Sequence, residues 1–219
     1  PGAPRGGARL DLVGTLRAAA PWQALRHRET DGRVQVRSED FRIRRFRRRG
    51  ESALVFVVDA SGSAALARLA EVKGAVELML AEAYVRREQV ALVAFRGAGA
   101  ELLLPPTRSL VQAKRRLSAL PGGGGTPLAA GLEAGMTLAV QLRRRGVSPF
   151  LVVLTDGRAN VGLDGRGGRA QAAEDASRVA RAVRASGLPV LLIDASARPD
   201  PAAAALAEAL ATRALALPR

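Results

Sequence analysis

Oxygen-bearing side chains stand at alternate positions 59, 61 and 63, as Asp59, Ser61 and Ser63. They directly follow the apolar run 54–58, which is typical of a strand buried on both faces of a parallel sheet. Ligands of open α/β sheets bind outside the carboxyl ends of the strands, so these side chains stand where such a sheet places its sites. Mg²⁺ takes oxygen ligands and keeps several waters. The spacing therefore predicts a site for a divalent cation.

Two later segments add oxygen atoms of the same kind. Thr126 ends the glycine-rich stretch 122–125 at the predicted start of a helix, and Asp156 closely follows a second apolar run, 150–154. The ordered set resembles the metal-ion-dependent adhesion site of von Willebrand factor A, or integrin I, domains. That family has Asp-x-Ser-x-Ser, a Thr from a second loop and an Asp from a third. All five positions match here: Asp59, Ser61, Ser63, Thr126 and Asp156.

The resemblance implies a division of roles among these residues. Ser61, Ser63 and Thr126 would bind Mg²⁺ directly when a partner is engaged, while Asp59 and Asp156 would hold the ion mainly through waters and balance its charge. One octahedral position is then open to a carboxylate of the partner, because Mg²⁺ sites often share ligands with what they bind.

Other chemistry suits these residues less well. Ser63 alone could cap a helix, but two serines, a Thr and two acids exceed what a cap needs. The glycines before Thr126 lack the Gly-Lys-Ser/Thr ending of a phosphate loop. The single His27 lies in the wrong kind of segment for a Ser-His-Asp triad. We therefore expect this chain to be non-catalytic and not to hydrolyse ATP.

Length and composition indicate one α/β domain with an extension. The chain has 219 residues, 48% of them hydrophobic but only 3% aromatic, and it has no Cys. Without Cys there are no disulfides or thiolate metal sites, which agrees with a reducing compartment and an expected cytoplasmic location. No apolar run is long enough to span a bilayer and no signal peptide is visible. The start at Pro1 suggests a piece of a longer chain.

The pattern of apolar runs predicts the fold class. Strands alternate with helices from residue 53 onward, which indicates a doubly wound, mostly parallel α/β sheet with helices on both faces. One antiparallel edge strand is expected after Gly99, ended by Pro105 and Pro106. Residues 1–50 are expected to form an Arg-rich extension with a helix over 10–26, which Pro21 breaks or ends, and short strands at 34–37 and 41–44. Residues 51–219 are expected to form the main domain.

The formal net charge of +14 favours an acidic partner. About half of this charge we attribute to compositional bias, since Arg and Ala are abundant and Lys is nearly absent. The segment 42–49 contains six arginines, of which Arg44, Arg45, Arg47 and Arg48 are the predicted docking residues. A nucleic-acid patch is the alternative, but stacking aromatics are scarce and no recognition motif accompanies the arginines.

Beyond the metal motif, the chain resembles the C-terminal part of magnesium chelatase D subunits of the bacteriochlorophyll pathway. The resemblance lies in residues 18–22, the arginine run, and residues 91–97, 103–110, 122–128 and 154–160. It implies a non-catalytic module that couples subunits of an enzyme inserting Mg²⁺ into protoporphyrin IX. The implied partners are the I subunit, an AAA+ protein that binds and hydrolyses ATP, and the porphyrin-binding H subunit.

Two alternatives stay open at this point. The chain could be an adhesion-type module of another AAA+ system or of the related cobalt chelatase, although the Arg-rich run and residues 18–22 speak against it. It could also be a nucleic-acid-binding domain, which rests on charge alone.

Overall fold

The structure is a computed structural model that describes residues 9–26, 34–44, 50–61, 78–119, 122–196 and 200–216. The chain divides into two compact units, Pro1–Arg49 and Gly50–Arg219. Within the described residues, no helix combines the length and apolarity that crossing a bilayer requires.

The N-terminal unit has little regular structure. Its elements are strand β1 (Arg9–Leu10), helix α1 (Leu12–Ala19), 3₁₀ turns at Ala20–Trp22 and Ser38–Asp40, and strand β2 (Ile43–Arg44), which pairs antiparallel with β1. Asp11 caps α1 by accepting a hydrogen bond from the Gly14 amide at 3.0 Å. The helix expected over 10–26 is α-helical only over Leu12–Ala19, and it ends just before Pro21, which was expected to break or end it and lies in the 3₁₀ turn Ala20–Trp22.

The strand expected at 34–37 is absent, and only the last two residues of the one expected at 41–44 are extended into a ladder. Side chains take the place of a neighbouring strand here. In the side-chain amide of Gln23, Nε2 donates to the Gln35 backbone carbonyl at 2.8 Å and Oε1 accepts from the Gln35 N–H at 2.9 Å. The Arg42 N–H likewise donates to Thr15 Oγ1 at 3.0 Å. Backbone groups of this segment thus find hydrogen-bond partners without a neighbouring strand, because polar side chains can bond them directly.

The second unit is built on a six-stranded sheet of order β5-β4-β3-β6-β7-β8. Its strands are β3 (Ser52–Asp59), β4 (Gln89–Arg96), β5 (Gly99–Thr107), β6 (Ser148–Thr155), β7 (Val190–Asp194) and β8 (Ala214–Ala216). All neighbours pair in parallel except β4 and β5, which pair antiparallel. The predicted class, a mostly parallel sheet with one antiparallel edge strand, is confirmed.

Helices cover both faces of this sheet. They are α2 (residues 78–85), α3 (Leu110–Ser118), α4 (Leu128–Arg144), α5 (Arg169–Ala185) and α6 (Pro201–Leu210). Helices α4, α5 and α6 pack on one hydrophobic cluster, and α2 and α3 pack on the other. The central strand β3 contributes to both clusters, and its residues Val55 to Val58 are fully buried. Its uninterrupted apolar run is the pattern of a strand covered on both faces.

Strand β5 continues through Pro105 and Pro106 to Thr107, so the expectation that these prolines end it is wrong. An edge strand has one side without a ladder, where a missing N–H costs nothing. The pairing of β5 with β4 is also irregular here, with register shifts between Val90 and Val93. Two prolines are therefore accommodated without ending the strand.

Candidate metal site

Asp59 is the last residue of β3, at the carboxyl edge of the sheet, and it is only 8% exposed. Its Oδ1 accepts hydrogen bonds from the Ser61 N–H at 3.0 Å and from Ser61 Oγ at 2.6 Å. Its Oδ2 accepts from Thr155 Oγ1, on the neighbouring strand β6, at 3.0 Å. The carboxylate is therefore held in one orientation by donors from the loop after β3 and from β6.

Thr126 arrives from the glycine-rich loop and completes this chain of hydroxyls. Its Oγ1 donates to Ser61 Oγ at 2.8 Å. Asn160 fixes the backbone of Thr126 through two hydrogen bonds. Its Oδ1 accepts from the Thr126 N–H at 2.6 Å, and its backbone N–H donates to the Thr126 carbonyl at 3.2 Å. The Gly123 N–H also donates to the Ala60 carbonyl at 3.0 Å, which ties the loop to the end of β3.

Glycine is required where this loop passes its neighbours. A Cβ at Gly125 would lie 2.5 Å from Val161 Cγ2 and 2.7 Å from the Gly97 carbonyl oxygen. Gly124 has φ +96°, and a Cβ there would lie 3.0 Å from the Gly97 backbone nitrogen. Glycine at 124 and 125 thus lets this loop pass close to Gly97 and Val161, and the loop brings Thr126 to Ser61.

Asp156 follows β6 and is half-buried. Its Oδ1 accepts a hydrogen bond from the Arg158 N–H at 3.0 Å, which orders the turn in which it lies. Burial raises the pKa of Asp59, hydrogen bonds from Ser61 and Thr155 oppose this, and the negative charge of Asp156 raises the pKa further. The structure therefore brings the two acids within electrostatic reach of each other.

The donor set fits Mg²⁺. Ser61, Thr126, Asp59 and Asp156 offer only oxygen atoms, which this ion prefers. The hydrogen bond of 2.8 Å between Thr126 Oγ1 and Ser61 Oγ brings these two oxygens together, so that one ion can contact both. No group of three or more His, Cys, Asp or Glu that could hold a metal occurs within the described ranges, so a transition-metal site of that kind is not found there.

Several predicted residues lie outside this description. Ser63 is one of them, as are Arg45, Arg47 and Arg48. Arg44 is described through its backbone, which pairs with Arg9 in the small ladder. Of the five predicted metal-site residues, the structure brings Asp59, Ser61 and Thr126 into one hydrogen-bonded chain and places Asp156 near it.

Thr155 and Asn160 take part in the site, and sequence analysis assigned them no role. Thr155 is fully buried and also accepts a hydrogen bond from the Gly157 N–H at 3.1 Å. A polar residue at the end of an otherwise apolar strand was the available signal for Thr155. Nothing local identified Asn160, because its partner Thr126 lies 34 positions earlier in the chain.

Comparisons with known proteins agree with this architecture. The von Willebrand factor type A domain family matches residues 54–158, and a separate family, the AAPxQ domain, matches residues 3–46. Among solved structures, the PilB minor pilin from Streptococcus sanguinis superimposes with a TM-score of 0.61 at 16% identity. That match covers 80% of this chain and 59% of the pilin. At this identity the likeness concerns the fold.

Curated relatives are much closer in sequence. The magnesium-chelatase 60 kDa subunit of Cereibacter sphaeroides is 60% identical over 215 residues, and that of Rhodobacter capsulatus is 53% identical over 216 residues. Both matches cover 97% of this chain and 38% of the relative. The chain thus spans well under half the length of these relatives.

Proposed function

Because the chain belongs to the von Willebrand factor type A family over residues 54–158 and is homologous to magnesium-chelatase 60 kDa subunits, we propose that it couples chelatase subunits through a metal-bridged carboxylate. The proposed role is non-catalytic, within a cytoplasmic complex that inserts Mg²⁺ into protoporphyrin IX in bacteriochlorophyll biosynthesis. The proposed partners are the ATP-hydrolysing I subunit and the porphyrin-binding H subunit.

The observation that carries this proposal is the hydrogen-bonded chain from Asp59 through Ser61 to Thr126. It joins hydroxyl and carboxylate oxygens from two loops at the edge where parallel sheets bind ligands. Structural roles such as helix capping do not require a Thr from a second loop that is itself anchored by Asn160.

Each residue has a distinct task in the proposed contact. Ser61 and Thr126, with Ser63 by resemblance, would face Mg²⁺ directly through neutral hydroxyls. Asp59 and Asp156 would balance the charge of the ion and hold it mainly through waters. When bound, Mg²⁺ supplies a centre with enough residual positive charge to accept a carboxylate from a partner. Thr155 and Asn160 hold Asp59 and Thr126 in position, as supporting residues around metal ligands do.

The test is association of this chain with purified I and H subunits in Mg²⁺ and in EDTA. We expect EDTA, Asp59→Ala and Asp156→Ala each to abolish the metal-dependent part of the binding while the chain stays folded. Glu174→Ala is the matched control, because Glu174 is an exposed acid on α5 that has no role in the proposed contact.

Thermal unfolding with added Mg²⁺ supplies a readout that does not need a partner, since an ion that binds the folded state alone raises its melting temperature. If partner binding in EDTA, and of the Asp59→Ala variant, is as tight as that of the wild type in Mg²⁺, the metal bridge is wrong. The contact then lies elsewhere on the surface.

A further inference from the structure

Arginines collect at the edge of the sheet opposite the metal site. In this unit helices α4, α5 and α6 lead into the amino-terminal ends of β6, β7 and β8, which are neighbours in the sheet. Their last turns and connections carry five exposed arginines, here named the basic edge: Arg143, Arg144, Arg145, Arg184 and Arg213. The Arg143 guanidinium donates to the Ser186 carbonyl at 2.8 Å, so the ends of α4 and α5 are in contact.

Most of this charge is not neutralised within the protein. Arg86 pairs with Glu82 and Arg108 pairs with Glu51, at the same end of the sheet. By contrast, across the part of the chain that the structure describes, Arg144, Arg145, Arg184 and Arg213 have no acidic partner. Glu208, in the last turn of α6, and Glu88, in the connection from α2 to β4, are too few to balance them.

Helix capping accounts for only part of the basic edge. Cations near the last turn of a helix interact favourably with its dipole, and the Arg143 hydrogen bond to Ser186 is of this kind. Arg145 lies beyond the last residue of α4, and Arg213 lies directly before β8 rather than in α6. Exposed arginines on three adjacent connections give this edge a positive potential, which attracts acidic partners.

We infer that the basic edge is a second docking surface, and that its partner is an acidic polypeptide segment. The planar guanidinium group pairs with carboxylates through two parallel hydrogen bonds. Because its donors are already fixed in one plane, arginine loses little side-chain entropy per hydrogen bond formed. Single-stranded nucleic acid also needs aromatic side chains on which bases stack. No aromatic residue is exposed in the last turns of α4, α5 and α6 or in the connections that follow them.

This surface acts independently of the metal site. Strands β3 and β6 each have eight residues, so their two ends are separated by about 23 Å at ~3.3 Å per residue. That distance exceeds the Debye length of about 8 Å at physiological ionic strength. The unit can therefore hold one partner through a carboxylate at the metal site and an acidic segment at the other end at the same time.

The experiment measures binding of a fluorescein-labelled poly-Glu peptide to the 219-residue chain in EDTA, by fluorescence anisotropy. The test variant combines Arg144→Gln, Arg145→Gln and Arg184→Gln and keeps Arg143, which bonds Ser186. The matched control, Lys114→Gln with Arg115→Gln and Arg116→Gln, removes the same charge from α3. We expect roughly tenfold weaker binding for the test variant and at most about a twofold change for the control.

Three results would overturn the proposal. Equal losses in the two variants would mean that binding follows net charge alone. Poly-Glu binding that is present in a parallel titration with Mg²⁺ but absent in EDTA would place the peptide at the metal site instead. A larger effect of the test variant on a labelled oligothymidylate than on poly-Glu would make the basic edge a nucleic-acid surface. Circular dichroism of both variants confirms that the fold is retained.

Discussion

At the scale of single residues, the site is a compromise between burial and charge. Asp59 is almost fully buried, which disfavours its ionised form, and Asp156 adds a second negative charge nearby. Three hydrogen-bond donors from Ser61 and Thr155 favour the ionised form but do not cancel the effect of burial. Without a bound cation, burial and the charge of Asp156 therefore disfavour the ionised form of Asp59. A divalent cation bound here would favour the ionised form instead.

The substitution Asp59→Asn should raise the melting temperature of the protein in EDTA at neutral pH. Because burial raises the pKa of Asp59, the folded state binds this proton more tightly than the unfolded state does. The contribution of Asp59 to stability is thus greatest below its unfolded pKa and falls as the pH rises through its folded pKa. The advantage of the Asn variant should shrink in acid, below the ordinary Asp range near pH ~4.

Differential scanning calorimetry across pH, with and without Mg²⁺, checks this expectation. Mg²⁺ should stabilise the wild type and have no such effect on the variant. A variant that is less stable than wild type at neutral pH in EDTA would show that the hydrogen bonds of Asp59 outweigh its burial.

At the scale of elements, helix α4 sets how closely the loop carrying Thr126 approaches the sheet. Gly131 and Gly135 lie one turn apart on the face of α4 that packs on the strands. A Cβ at Gly131 would lie 2.3 Å from Phe95 Cδ1, and one at Gly135 would lie 2.4 Å from Val57 Cγ2. These glycines let the backbone of α4 pack directly on large side chains of β3 and β4, and Thr126 stands two residues before the first turn of this helix.

Gly131→Ala should lower the free energy of unfolding by up to about 2 kcal/mol. Overpacking a filled core costs roughly 1–3 kcal/mol, which exceeds the ~1 kcal/mol that Ala gains over Gly in a helix. Gly99→Ala is the control, since a Cβ there has no atom within 4 Å and should leave stability nearly unchanged. Urea unfolding measures both variants. If Gly131→Ala is as stable as wild type, α4 can shift outward without loss, and the close packing is not essential.

At the scale of the whole molecule, the two units differ in how much core they contain. Both hydrophobic clusters consist entirely of residues from Gly50–Arg219. Among the described residues of the N-terminal unit, Ala19 is the only buried hydrophobic residue, while Leu12, Trp22 and Leu25 are more than half exposed. That unit is held instead by polar contacts such as the buried ion pair between Arg26 and Asp40.

We expect residues 50–219, produced alone, to unfold cooperatively and to keep any stabilisation by Mg²⁺. The complementary fragment of residues 1–49 should show no cooperative transition, because so short a chain rarely buries enough apolar surface to fold by itself. Circular dichroism during heating distinguishes the two cases. Cooperative unfolding of the short fragment, or an unfolded 50–219 fragment, would contradict this assignment of stability to the second unit.

The sequence by itself determined the features that depend on local pattern. The apolar runs 54–58 and 150–154 predicted the buried strands β3 and β6, and alternation of strands with helices predicted the α/β class. Because parallel strands all end at the same edge of a sheet, the positions of Asp59, Ser61 and Asp156 after β3 and β6 also indicated where they would gather. Thr126 does not follow a strand, and only the resemblance to the adhesion site joined it to this set. Ser63 and the arginines at 45, 47 and 48 stay predictions.

Tertiary structure alone decided what depends on contacts between distant segments. The bond from Asn160 to Thr126 and that from Thr155 to Asp59 join residues 34 and 96 positions apart, a distance over which no periodicity carries information. Residues 34–37 alternate as a strand would, yet the Gln23 side chain bonds Gln35 in place of a neighbouring strand. The basic edge likewise becomes one surface only when β6, β7 and β8 lie side by side, since charge along a chain says nothing about charge across a fold.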